Sequence, residues 1–318
     1  MPTNQDVYQD FTDKIVAMLR AGEVPPWRRP WTVDHCGAGF APMNAASGKA
    51  YRGINVWWLL MEQHGKGYSR NLWVTYRQAK QLGGHVRKGE KGTKVVLWKP
   101  AKGKEKENPA TGKKERGTYL LIRTYTVFNV DQCDGIELPK KLRTVPEEAP
   151  SQAQIDAEAQ RVLDEYIARE GLTYEHKGNA AYYSPTLDMI RMPPRKAFTG
   201  TAEYYSAAFH ECGHSTGHTS RLNRESLTKI STKGDHTYSR EELVAEFCAA
   251  FLCGVTGVAM PESTENSAAY LKSWASKLED DPKILIQAAA QAQKAADRVL
   301  GVVVAKVNDN DEEVNQAA

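Results

Sequence analysis

Apolar residues recur at helical spacing from the start of the chain. Val7, Phe11, Ile15 and Leu19 lie four residues apart, which places them on one face of a helix that ends near Gly22. The same patterning predicts further helices, and runs rich in β-branched and aromatic residues predict strands. In the first half we expect helices at residues 54–62 and 76–82, the second capped by Thr75, and strands at 94–98 and 119–130. Between the two strands, the Lys-, Glu- and Gly-rich residues 101–117 predict a mobile hairpin loop.

Helical patterns dominate the second half. Residues 141–152 place two prolines among polar residues, which predicts a linker. Beyond them we expect helices at 154–170, 204–216, from Ser239 onward, 264–279 and 283–303, and strands at 173–176, 181–184 and 189–192. The sequence therefore predicts an α+β protein of two domains, a basic α+β domain at 1–140 and a mainly helical domain at 153–307. An acidic tail at 308–318 is expected to be disordered.

Charge separates the two predicted domains. Residues 1–150 hold 25 Lys and Arg against 15 Asp and Glu, a net charge of +10, whereas residues 151–318 hold 17 against 24, a net charge of −7. This asymmetry indicates a polyanion-binding module joined to a part with a different function. Five scattered cysteines without a Cys-x-x-Cys pair, no apolar run long enough to span a membrane and no apolar signal segment predict a reduced, cytoplasmic protein without a membrane partner.

The strongest chemical signal is His210-Glu211-Cys212-Gly213-His214, which fits His-Glu-x-x-His. On a helix, His210 and His214 lie one turn apart on one face, where two imidazoles can bind one metal ion. Glu211, adjacent to the first histidine, can take a proton from a metal-bound water as a general base. We expect one Zn²⁺ per chain, which Mn²⁺ or another divalent ion can replace.

A catalytic zinc site needs a third protein ligand, and the segment after Ser239 offers one. Ser239 and Glu242 have the spacing of a capping box, and an apolar run follows them. Glu242 and Glu246 lie four residues apart, so both can face the metal. The run Glu242-Leu-Val-Ala-Glu246 resembles the Glu-x-x-x-Asp motif of gluzincin-type peptidases. That resemblance implies that Glu242 is the ligand and that Glu246 orients a ligand histidine; the reverse assignment stays open.

Neighbouring residues define further expectations. His218 is a rival third ligand, although it lies another helical turn, about 6 Å, along the axis and beyond Gly217, which is expected to end the helix. Glu241 is expected to face solvent or to favour the helix dipole. Tyr238 is a candidate for stabilising the oxyanion of a hydrolytic transition state.

The basic half combines aromatic, amide and cationic residues, the mixture that single-stranded nucleic acid requires, because bases stack on rings while Lys and Arg contact phosphates. One alternative is that Trp57 and Trp58, which lie beside leucines, belong to the hydrophobic core. The candidate DNA-binding residues are Tyr51, Arg52, Asn55, Trp57, Trp73, Tyr76, Arg77, Gln78, Lys80, Arg87, Lys88 and Lys91.

Three motifs of this half, Tyr51-Arg-Gly-Ile-Asn55, Trp73-Val-Thr-Tyr-Arg-Gln-Ala79 and Gly84-His-Val-Arg-Lys-Gly-Glu-Lys91, resemble the N-terminal domain of the ArdC family of plasmid antirestriction proteins. The resemblance extends to the His-Glu-x-x-His segment. It implies a domain that binds single-stranded DNA, a zincin-like metallopeptidase domain, and protection of incoming plasmid DNA from host restriction. The protein substrate is unknown, and the basic half joined to the peptidase half leads us to expect it among DNA-bound proteins. Two alternatives stay open: DNA binding alone, with a structural or vestigial metal site, and a metal-dependent nuclease.

Overall fold

A computed structural model describes residues 4–29, 40–107, 114–143, 149–228, 236–260 and 268–303. Helices and strands mix in the first half and helices dominate the second, which confirms the predicted α+β class. The predicted acidic tail and Cys36 lie outside the described residues. Within those residues, no helix combines the length and the apolar character that crossing a membrane requires.

A four-stranded sheet organises the N-terminal half. Its spatial order is β1 (Met43–Asn44), β2 (Leu72–Val74), β5 (Lys114–Asn129) and β4 (Thr93–Glu107). The last two strands pair from Thr93 opposite Val127 out to Glu107 opposite Lys114. The mobile loop predicted at 101–117 is therefore wrong for the described residues, and 108–113 lie outside them. Ladder hydrogen bonds join backbone groups, so this ribbon forms despite the Lys-, Glu- and Gly-rich composition on which the loop prediction relied.

Three α-helices and a second strand pair join this sheet in the described part of the N-terminal half. They are α1 (Asn4–Arg20), α2 (Ile54–Lys66), α3 (Tyr76–Gln81), and the pair β3 (His85–Val86) with β6 (Cys133–Asp134). The predicted cap of α3 is confirmed, because the Thr75 hydroxyl accepts the Gln78 N–H and the Gln78 amide oxygen accepts the Thr75 N–H. This reciprocal capping box satisfies two backbone donors at the start of the helix.

The C-terminal half places helices around a three-stranded sheet. Its elements are α4 (Gln152–Glu170), β7 (Thr173–His176), β8 (Tyr182–Ser184), β9 (Met189–Met192), α5 (Thr201–Ser215), α6 (Glu225–Thr228), α7 (His236–Thr256), α8 (Ala268–Asp280) and α9 (Ile284–Val299). The sheet order is β7-β9-β8. Helix α7 begins three residues before Ser239, so the prediction that Ser239 caps this helix is wrong.

The largest hydrophobic cluster contains residues from both halves of the chain. Side chains of α1 and α2 pack there with those of α4, α5, α7, α8 and α9. Trp57 of α2 stacks on Phe251 of α7, with the ring centroids 4.9 Å apart. The boundaries of the two predicted domains stay a prediction. The two halves are joined by apolar contacts in addition to the covalent chain.

A polar contact docks the start of α2 on α9. The Gly53 N–H donates to the Gln293 amide oxygen at 2.9 Å, and Arg52 forms an ion pair with Asp297. Gly53 has a φ of +58°, a left-handed conformation that glycine adopts without a Cβ penalty. Arg52, a predicted DNA contact, thus joins the two halves of the molecule.

Helices α5 and α7 cross very closely at Gly213. A Cβ atom at this position would lie 3.1 Å from the Ala245 Cα and 3.2 Å from the Cys248 Cβ. The small residue on each helix lets the two backbones approach. The crossing therefore brings the histidines of α5 within reach of the acids of α7.

We predict that Trp57→Ala lowers the free energy of unfolding by about 3–5 kcal/mol, because a fully buried ring is lost from the shared core. Tyr76→Ala, in which an exposed ring is lost, is the matched control and should cost less than about 0.5 kcal/mol. Urea unfolding followed by circular dichroism measures both. Near-native stability of Trp57→Ala together with weakened DNA binding would instead assign Trp57 to the DNA surface.

We predict that Gly213→Ala weakens metal binding and lowers stability by about 1–3 kcal/mol, because the new methyl group forces α7 away from α5. Gly65→Ala is the matched control, since a Cβ at this helical glycine meets no atom within 4 Å. It should be neutral or stabilising by up to about 1 kcal/mol, the helix-propensity difference. Unfolding midpoints and metal titration compare the variants, and equal behaviour would contradict the close crossing.

Candidate metal centre

Three side chains converge at the crossing of α5 and α7. The His210 and His214 Nε2 atoms lie 3.1 Å apart, and the Glu242 carboxylate oxygens lie 3.6 Å and 3.5 Å from them. Ligands about 2.0–2.1 Å from a tetrahedral zinc ion stand about 3.3 Å apart, so the donor set fits one ion. In the described parts of the chain, this is the one cluster of His, Cys, Asp or Glu that could hold a metal.

The three converging side chains keep a solvent-facing side. Their exposed fractions are 25% for His210, 13% for His214 and 27% for Glu242. Structural zinc sites are closed by four protein ligands, whereas catalytic sites have three and keep a position for water or substrate. Three protein donors beside solvent therefore match the catalytic arrangement.

Glu211 is buried beside this cluster, with 7% of its surface exposed. Burial alone would lower the pKa of His210, but the hydrogen bond with Glu242 and the negative charges of Glu211, Glu242 and Glu246 outweigh it and raise that pKa. The acidic surroundings of His210 also favour a cation at the cluster. The role of Glu211 as general base stays a prediction.

Glu241 is buried, so the expectation that it faces solvent is wrong. It is 3% exposed, and its carboxylate lies 3.4 Å from the His214 Nδ1. Arg224 Nε donates to it at 3.0 Å and the Ser226 hydroxyl at 2.6 Å. Burial would raise the pKa of Glu241, but the hydrogen bonds from His214 and Arg224 lower it to about 2. A charged carboxylate can hold this imidazole in the tautomer that leaves Nε2 free for a metal.

Arg224 was not identified from the sequence. Its guanidinium is buried and also donates to the Gly213 carbonyl oxygen at 2.8 Å and to the Thr216 hydroxyl at 2.6 Å. It therefore ties the end of α5 to the start of α7 beside His214. No sequence signal indicates that Arg224 pairs with Glu241, because Arg224 is an isolated arginine in a polar segment.

Glu246 is also buried and binds residues from the other half of the chain. The Trp27 Nε1 donates to its carboxylate at 3.0 Å, and the Arg28 Nη2 lies 3.2 Å from its second oxygen. The predicted role of Glu246 at a ligand histidine stays a prediction. The contact of Trp27 and Arg28 with Glu246 could not be predicted from the sequence, because 219 residues separate Trp27 from Glu246.

Two candidates of this half remain, His218 and Tyr238. His218 follows the end of α5, where its Nδ1 lies 2.8 Å from the Ser220 hydroxyl, and it does not belong to the cluster found among the described residues. The Tyr238 side chain lies outside the described residues, so its proposed role stays a prediction.

Five of the predicted DNA-binding side chains are buried. Exposed fractions are 1% for Tyr51, 2% for Trp57, 0% for Trp73, 9% for Asn55 and 7% for Gln78. The Asn55 side chain bonds both the N–H and the carbonyl oxygen of Val96, and Gln78 caps α3. These side chains support the fold, and in this structure they offer neither a ring face nor an amide to a nucleic acid.

The other candidates lie at the surface. Tyr76 is 53% exposed, and the Lys80 Nζ lies 5.1 Å from the centre of its ring. Arg77, Lys88 and Lys91 are exposed as well. Arg87 is exposed and bridges Glu90 and Asp134, at 2.8 Å and 3.4 Å. Among the candidate DNA-binding residues, an accessible ring with neighbouring cations therefore lies in α3 and the segment after β3.

Both halves match described families. Residues 5–128 match the N-terminal domain of anti-restriction factor ArdC, and residues 161–291 match a zincin-like metallopeptidase family. Protein y4eC of Sinorhizobium fredii (strain NBRC 101917 / NGR234) is 34% identical over 298 residues, which cover 93% of this chain and 92% of that protein. DNA primase TraC of Escherichia coli is 34% identical over 94% of this chain, which spans only 20% of the primase.

Two solved structures of an ArdC protein also match this chain over nearly its whole length. The metal-free structure of antirestriction protein ArdC from plasmid R388 is 39% identical, with a TM-score of 0.67, and the match covers 92% of this chain and 96% of that one. The Mn(II)-bound structure of the same protein is 38% identical, with a TM-score of 0.68, over 93% and 98% of the two chains. This chain belongs to the ArdC family of antirestriction proteins.

Proposed function

We propose that this protein is a metal-dependent peptidase that binds single-stranded DNA and protects incoming plasmid DNA from host restriction. The observation that carries the enzymatic part is the convergence of His210, His214 and Glu242 beside a buried Glu211. A purely structural metal site needs no such base. The antirestriction role follows from the R388 relative, and its protein substrate is proposed to be bound to DNA.

His210, His214 and Glu242 would hold one divalent ion, for which we propose Zn²⁺, with Mn²⁺ as the alternative because it is bound in the R388 relative. When bound, the ion supplies a Lewis acid that polarises the scissile carbonyl and acidifies water. Glu211 accepts the proton of the attacking water and returns it to the leaving amine. Glu241 fixes His214 through Nδ1, Glu246 supports His210, and Tyr238 is proposed to donate to the oxyanion.

We propose that DNA binds at the basic surface formed by α3 and the segment after β3. Its members are Tyr76, Arg77, Lys80, Arg87, Lys88 and Lys91. Tyr76 offers a ring for base stacking, and the cations offer partners for the phosphates of a single strand. The described cysteines are free, which supports a cytoplasmic, reducing location.

We expect His210→Ala, His214→Ala and Glu242→Ala each to abolish the tightly bound metal, because two donors are left. Glu211→Gln should retain the metal and lose hydrolysis, because the amide accepts no proton. His218→Ala is the matched control and should retain both. Metal content by mass spectrometry, together with cleavage assays on DNA-bound proteins, tests this. Metal retained in Glu242→Ala, or hydrolysis retained in Glu211→Gln, would contradict the assignment.

We expect the triple variant Arg77→Ala, Lys80→Ala and Lys88→Ala to bind single-stranded DNA at least about tenfold more weakly. Its salt-dependence slope should fall by about 2, since each phosphate contact contributes about 0.7. Fluorescence anisotropy of labelled oligonucleotides at several salt concentrations measures both quantities.

The matched control removes the same charge from the exposed residues Lys177, Lys196 and Lys272 of the other half. An equal loss of affinity in this control would show that net charge alone, and not the proposed surface, governs DNA binding.

A further inference from the structure

The short turn Pro26–Arg28, which follows α1, packs against the helix that carries Glu242. Trp27 is 1% exposed, and its ring meets Phe247 of α7 edge-on at 4.7 Å between centroids. Its indole N–H donates to Glu246 at 3.0 Å. A residue of the N-terminal half therefore reaches the helix that forms one side of the metal centre.

Arg28 completes the contact with the same carboxylate. Its Nη2 lies 3.2 Å from one Glu246 oxygen and its Nε 3.4 Å from the other, and the side chains are 14% and 8% exposed. A carboxylate this deeply buried is costly without a charged, hydrogen-bonded partner. Trp27 and Arg28 therefore pair with the Glu246 carboxylate and hold it in position.

The position of Glu246 connects this contact to the metal centre. Glu246 lies one helical turn after Glu242, on the same face of α7. A displacement of Glu246 would therefore change the surroundings of a proposed metal ligand.

We infer that Trp27 and Arg28 of the N-terminal half are positioning residues of the metal centre, which act through Glu246 on the turn of α7 that carries Glu242. This inference rests on the proposed metal site and adds a dependence that the His-Glu-x-x-His motif does not contain. Metal affinity then depends on the docking of the N-terminal half. By the reciprocity of linked equilibria, the bound metal also stabilises that docking.

The test measures the metal affinity of the full-length protein by competition between the apoprotein and a chelating indicator for Zn²⁺. Arg28→Gln and Trp27→Phe, which keeps an aromatic ring but loses the N–H, should each weaken affinity about tenfold, the lower end of effects of residues behind metal ligands. The matched control is Arg29→Gln, because Arg29 is adjacent but pairs with Glu23. It should stay within about twofold of the wild type.

A double-mutant cycle separates this role from a general loss of stability. If Arg28 acts through Glu246, Arg28→Gln should have no further effect on affinity in a Glu246→Gln background, whereas independent effects would multiply. Multiplying effects would overturn the inference. So would wild-type affinity in Arg28→Gln and Trp27→Phe, with only the metal-free unfolding midpoint lowered. Absence of metal binding in the wild type would instead refute the proposed function.

Discussion

The close crossing of α5 and α7 at Gly213 is the contact on which the candidate site depends. Two histidines one turn apart on α5 offer only two donors, and the third has to come from another element. With Gly213 against Ala245 the helix backbones approach until the Glu242 oxygens reach both imidazoles. The glycine of the motif therefore determines the geometry of the site, although its own atoms would contact no metal.

Two further acids of α7 are buried at this crossing, and each is paired with an arginine from elsewhere in the chain. Glu241 is held by Arg224 on the side of His214, and Glu246 by Arg28 and Trp27. A buried carboxylate without a partner would be protonated or would destabilise the fold. The two arginines thus give each buried carboxylate a partner behind the cluster of proposed ligands.

The resemblance to gluzincin-type peptidases pointed to Glu242 as the third member of the cluster, whereas periodicity predicted most helices and short strands and motif spacing predicted the pairing of His210 with His214. Both signals are local, because they depend on the repeat of a helix. Glu241, Trp57 and Trp73 were misplaced since burial depends on which distant element packs on a residue, as Arg224 does on Glu241. The partnership of Trp27 with Glu246 has no local signature at all.

The hydrophobic cluster shared by the two halves has a consequence for how this protein is inherited. A recombination event between the halves would separate α1 and α2 from the helices that bury their apolar faces. Each separated half would then expose a large apolar surface, and exposed apolar surface favours aggregation. We therefore expect the two halves to be transferred between genes together. Its match to a primase about five times longer, in which 94% of this chain is aligned, fits transfer as a single piece.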